Sequence, residues 1–132
     1  MNERSIATSV NAHNASFTYP LGARPGIQGV SDVSFSVSPG QCLLITGDSG
    51  SGKSTVLKLI NGLIPHFNPG ELLGTITIIK DDQAFTPAEE PLSRAIEFSA
   101  SVFQNPRTQF FTESVNAELA FGLENLLSLI HI

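Results

Sequence analysis

Nine consecutive residues, Gly47-Asp48-Ser49-Gly50-Ser51-Gly52-Lys53-Ser54-Thr55, combine small, flexible and cationic types in the order that holding a polyphosphate requires. They fit the spacing GxxxxGK(S/T), preceded by the apolar run Cys42-Leu43-Leu44-Ile45 and followed by a helical pattern. The three glycines let the backbone curl so that successive N–H groups point inward as an anion nest. A helix starting at the end of the loop adds its positive N-terminal pole to the same spot. The Lys53 ammonium is long enough to reach β- and γ-phosphates, and the Ser54 hydroxyl stands where Mg²⁺ would be ligated. A flexible Gly/Ser linker is not normally bracketed by a buried strand and an amphipathic helix. The stretch reads as a nucleotide site.

Such a loop needs a strand to deliver it and a helix to leave by. Gln41 to Thr46 predicts a strand apolar on both faces, the pattern of the centre of a parallel sheet. Pro39-Gly40 before it predicts a type II turn. From Ser54 onward Val56, Leu59, Ile60 and Leu63 share one helical face, and Gly62 with Pro65 marks the stop. Upstream, residues 1–14 read as a polar, aperiodic lead-in. Ala15 to Tyr19 reads as a short strand ended by Pro20, with a Gly/Pro loop through Gly29. Val33, Phe35 and Val37 alternate with polar residues, the mark of a half-buried strand. Downstream, Gly74 opens a strand from Thr75 to Lys80, residues 81–93 read as an exposed connection, and Ile96 to Phe103 reads as a second core strand. Thr112 is placed to cap a helix from Glu113, with Val115, Leu119, Phe121 or Gly122, and Leu126 on an irregular apolar face.

Composition narrows the function classes. The chain has 132 residues, and its 41% apolar content suits one modest core. Seven basic against twelve acidic side chains give a net charge of −5 with no basic run, which argues against nucleic acid as the main partner. The lone Cys42 lies inside an apolar run and reads as a small buried hydrophobe in a reducing compartment. No apolar segment follows the N-terminus as a signal peptide would require, and no stretch approaches the roughly 20 apolar residues that span a bilayer. A cytosolic chain is expected.

Four segments together carry a family resemblance: Ser16-Phe17-Thr18-Tyr19-Pro20; the GDSGSGKST loop; Asn61-Gly62-Leu63-Ile64-Pro65-His66-Phe67; and Val102-Phe103-Gln104-Asn105-Pro106, running on through Gln109-Phe110-Phe111 to Ala120-Phe121-Gly122-Leu123-Glu124-Asn125. Over roughly residues 12 to 126 the chain resembles the ATP-binding subunits of ABC transporters. The NGLIPHF and FQNP…QFF…AFGLEN strings resemble the ATPases of energy-coupling-factor vitamin and metal importers. The resemblance implies an α/β fold: a P-loop NTPase core of the ABC type with an antiparallel β-subdomain, cut off at the start of the helical subdomain. It implies ATP and Mg²⁺ as ligands, with Gly47 through Thr55 holding the phosphates and Lys53 catalytic. Tyr19 matches the aromatic that stacks on adenine, a task suited to a flat π-face. Gln104 matches the catalytic Gln that ligates Mg²⁺ beside Ser54 and moves with its loop. The implied assembly is a dimer with an identical or different ATPase subunit, docked on the cytoplasmic face of the membrane against a transmembrane coupling component and a substrate-capturing component. ATP hydrolysis there would drive import.

Other residues invite chemistry and are read otherwise. Thr77 to Asp82 resembles a strand ending in Mg²⁺-binding acids, but Lys80 breaks the apolar run and a solvated hairpin end is expected. His66 has no second ligand at metal spacing and reads as a loop residue. Of Phe110 and Phe111, one is expected in the core and one at an interface. Glu89-Glu90 reads as a solvated charge pair. The family's LSGGQ-type signature, its Asp-Glu strand and its switch His do not occur in these residues. Leu127-Ser128-Leu129-Ile130-His131-Ile132 reads as a translated transposon-end sequencing adapter. Residues 1–126 are therefore expected to be a partial nucleotide-binding domain and 127–132 a tail foreign to it. A non-catalytic nucleotide-binding fragment is one alternative reading. A P-loop kinase or GTPase is another, which lacks its Asn-Lys-x-Asp motif and leaves FQNP unexplained.

Overall fold

The computed structural model describes residues 7–22, 24–105, 110 and 113–121. The chain forms two compact units, Met1–Ala100 and Ser101–Ile132. Among the described residues the first holds four strands, β1 (Thr8–Leu21), β2 (Arg24–Val37), β3 (Glu71–Lys80) and β4 (Gln83–Phe85), and three helices, α1 (Lys53–Ile60), α2 (Leu63–His66) and α3 (Leu92–Phe98). The strands form one sheet in the order β2-β1-β3-β4, antiparallel at every pairing. In the second unit residues 115–121 are helical, and Val115 and Leu119 on that helix are exposed.

β1 corrects the expected lead-in: regular pairing starts at Thr8, opposite Lys80, not at Ala15. The reason is a bulge. Both ladders slip between Ala12 and Ser16, where Asn14 takes a φ of +48°. Ala12 lies in the core before the slip, and Ala15 and Phe17 lie there after it, so an odd-numbered inward face follows an even-numbered one. One extra residue reverses which side chains point inward, and a period-2 search across residues 8–19 finds no single phase. Polar side chains hold the kink: Asn14 N–H donates to Ser34 Oγ (2.8 Å), Asn14 Nδ2 to Asp32 Oδ1 (2.6 Å), and Asp32 N–H to Ser16 Oγ (2.8 Å). Pro20 does not end β1, because β3 stops opposite Thr18 and leaves β1 a neighbour on one side only. The expected loop through Gly29 is the returning strand β2, paired as Tyr19↔Ile27 and Leu21↔Arg24.

One continuous core covers one face of the sheet. Val56 and Leu59 of α1 join Ala12, Ala15, Phe17, Val30 and Ile76, together with Ile64 of α2. Ala95 and Phe98 of α3 join Ile78 and Phe85, with the Phe85 and Phe98 rings stacked 4.8 Å apart. Val10 and Ile60 pack against both groups. The strand expected from Ile96 to Phe103 is thus overturned. Leu92, Ala95 and Phe98 recur at helical spacing, and Pro91 precedes the helix at its N-cap. Glu90 pairs with Arg94 one turn on and accepts from Thr86 N–H at 3.0 Å, so only Glu89 is a plain solvated charge.

The strand expected at Gln41 to Thr46 is overturned as well. Residues 41–47 run without ladder pairing; Leu44 is 81% and Leu43 45% exposed, while Ile45 alone touches the core. Cys42 is exposed rather than buried. A parallel strand exists only through neighbours on both sides, and among the described residues no strand lies parallel to this segment. The hairpin end is as expected: Asp81 and Asp82, both at positive φ, form the two-residue turn between Lys80 and Gln83. His66 Nε2 lies 3.1 Å from the Pro87 carbonyl oxygen. Phe110 is exposed; Phe111, Thr112 and residues 127–132 lie outside the described residues.

Candidate functional site

The site is built on the first unit, where the chain passes from the unpaired segment into α1. The Pro39-Gly40 turn closes with Gln41 N–H donating to Ser38 O at 3.0 Å, and Gly40 has the φ of +76° that a type II turn needs. Residues 47–52 then curl back, Ser51 N–H donating to Asp48 O at 3.2 Å. Gly52, at φ +94°, is the N-cap of α1, and its carbonyl accepts from Val56 N–H at 3.0 Å. A Cβ at Gly52 would overlap the Gly29 carbonyl and lie 2.7 Å from Val30 Cγ1, so only glycine lets the loop rest on β2. The first N–H groups of α1 have no intrahelical acceptor and present a positive pole to the loop.

Lys53 heads α1 and folds over its own loop. Its Nζ donates to the Gly47 carbonyl (2.8 Å), the Asp48 carbonyl (2.5 Å) and Ser51 Oγ (3.2 Å). Three neutral acceptors thus hold the ammonium over the concavity, and a phosphate, carrying full charge, would compete well for it. Ser54 is exposed at the helix start, whereas Thr55 is buried and turns toward β1. There its Oγ1 lies 3.1 Å from the Tyr19 hydroxyl.

Tyr19, Gly50, Gly52, Lys53, Ser54 and Thr55 line one cleft, closed on the strand side by Ile27, Gln28 and Gly29. The structure therefore brings Tyr19 to the phosphate-type loop although 28 or more residues separate them in sequence. Gly47, Asp48 and Ser51 act in the loop through the Lys53 contacts, and Ser49 is an exposed loop residue. Gln104 belongs to the second unit, where it is exposed. Ile27, Gln28 and Gly29 were not foreseen as site residues. The glycine-led pair Gly22-Ala23 is the turn signal that would have carried β2 back beside Tyr19. Among the described residues no group of three His, Cys, Asp or Glu side chains could hold a metal by itself. No described helix is long and apolar enough to cross a membrane.

The sequence profile of a family described as "ABC transporter" matches residues 30–128. A Treponema denticola protein, provisionally named an ABC transporter ATP-binding protein, is 40% identical over 116 residues, 88% of this chain and 22% of its own length. Proteins given the same provisional name in Streptomyces avermitilis and Methanosarcina acetivorans are 38% and 36% identical, over 89% and 96% of this chain and 20% and 19% of their own lengths. The chain spans about a fifth of the length of these relatives.

Proposed function

Because this chain belongs to the ABC transporter family, we propose that it is nucleotide-binding sequence from the ATPase subunit of a transporter, and that the cleft beside α1 takes MgATP. One observation carries the reading: a GxxxxGK(S/T) loop caps α1 and shares a cleft with an aromatic side chain from β1. In this reading the loop Gly47 to Gly52 and the pole of α1 cradle the phosphates, Lys53 exchanges its carbonyl acceptors for phosphate oxygens, and Tyr19 offers its ring to adenine. The donor set suits Mg²⁺, which keeps several waters and takes few protein ligands. The exposed Ser54 hydroxyl would supply one oxygen; for Gln104 the support is the resemblance of its Phe103-Gln104-Asn105-Pro106 string alone. When bound, the ion offsets charge on the β- and γ-phosphates.

The finer assignment is an importer of the energy-coupling-factor type, supported by the NGLIPHF string at Asn61 to Phe67 and by Phe103-Gln104-Asn105-Pro106 with its continuation. The partners would be a second ATPase subunit, identical or different, a transmembrane coupling component and a substrate-capturing component. The subunit would act peripherally, at the cytoplasmic face. Binding without turnover by the 132 residues themselves is a second reading, favoured by the described residues of the cleft lining, which include no carboxylate and no imidazole.

Titration calorimetry with MgATP tests the site. Lys53→Ala removes charge-assisted hydrogen bonds to phosphate, so affinity should fall at least about tenfold. Its half-buried side chain is outside the core, so the melting temperature should barely move. Equal affinity in the two proteins would sink the assignment.

A further inference from the structure

The Tyr19 ring is held from three directions by groups of its own chain. Phe17 meets it edge to face, with centroids 4.8 Å apart and planes at 88°. Gly29 passes so close that a Cβ there would lie 2.8 Å from Tyr19 Cε2 and 3.0 Å from Thr55 Cγ2. The phenol oxygen is bonded to Thr55 Oγ1 at 3.1 Å, and Thr55 is itself only 7% exposed on the first turn of α1. The hydroxyl is therefore not simply solvated, as a ring acting only through its π-face would allow.

We propose that Thr55 is a positioning residue for base recognition: its hydroxyl, with the bare backbone of Gly29, holds Tyr19 ready as a platform for a nucleotide base. The inference rests on the nucleotide reading above and deepens it, since it ties the base platform directly to the phosphate loop. A ring that must leave other rotamers before it can stack lowers apparent affinity by the fraction of time it is competent. The Tyr19–Thr55 bond raises that fraction, and its loss can weaken binding by no more than the bond's own Boltzmann weight. A net hydrogen bond corresponds to about two- to tenfold. The opposite sign is equally definite: if the nucleotide needs the Thr55 hydroxyl for itself, the bond to Tyr19 competes, and breaking it would tighten binding.

Binding of MgATP and of inorganic triphosphate, which has no base, should be measured for wild type, Tyr19→Phe, Thr55→Val and the double variant, with circular dichroism to check the fold. Tyr19→Phe is expected to weaken ATP about two- to tenfold and to leave triphosphate unchanged. The double variant should bind ATP no more weakly than the weaker single variant, because both remove the same bond. Unchanged or tighter ATP binding by Tyr19→Phe overturns the proposal, as do losses that multiply in the double variant or a Tyr19→Phe loss equal for both ligands. A wild-type chain that binds neither ligand overturns the underlying nucleotide reading, whereas one that binds triphosphate and ATP alike overturns only the base platform.

Discussion

Gly52 decides whether the loop can exist in its observed form. Its φ of +94° alone disfavours any L side chain, and a Cβ would also overlap the carbonyl of Gly29. Gly52→Ala is therefore expected to cost at least about 2 kcal/mol, more than left-handed strain alone, and to weaken MgATP with it. Thermal unfolding and calorimetry on one preparation check both effects; an unchanged melting temperature would mean the loop rests less closely on β2 than the geometry requires. Lys53 is the converse case. Its contacts are to carbonyls of its own loop, so its replacement should be felt by the ligand and hardly by the fold.

At the scale of elements, the sheet depends on irregularities placed where the sequence is polar. The bulge around Asn14 lets β1 send Ala12, Ala15 and Phe17 into one core, and the Asp81-Asp82 turn closes β3 on β4. That turn has φ of +48° and +65°, a conformation in which glycine is easier than aspartate. Asp82→Gly should raise stability by about 0.5 kcal/mol, the relief of left-handed strain being partly offset by the greater entropy of unfolded glycine. Urea denaturation at constant m-value reads this directly, and a lower midpoint would show that the Asp82 side chain contributes more than its backbone strain costs. Arg94 of α3 pairs with Glu90 and lies 5.4 Å from the centre of the buried Phe98 ring.

At the scale of the whole molecule, binding and turnover are expected to separate. Among the described residues the cleft is lined by Tyr19, Ile27, Gln28, Gly29, Gly50, Gly52, Lys53, Ser54 and Thr55, a set without the carboxylate or imidazole that most often serves as a general base. A phosphate loop supplies charge and position, but water attack also needs an orienting or basic group. The 132-residue chain, mixed with MgATP, is expected to bind and to release phosphate no faster than a protein-free control. Phosphate release that Lys53→Ala abolishes would show that some group outside this lining acts on the water.

What the sequence determined by itself is what adjacent residues can do. The loop from Gly47 to Thr55, the start of α1 and the Lys80–Gln83 hairpin end were all legible, because backbone curl, helix entry and turn chemistry are local properties. Tyr19 was singled out only through resemblance; that the β1–β2 hairpin and α1 bring its hydroxyl to Thr55, 36 positions away, is a tertiary fact. The inward face of β1 was hidden by a bulge that reverses parity, and α3 was hidden because Ile96 to Phe103 is apolar enough to pass for a strand. The segment Gln41 to Thr46 makes the division plainest. Its apolar residues state a preference for burial between strands, but a strand is completed by its neighbours' N–H and C=O groups, and those come from elsewhere in the fold.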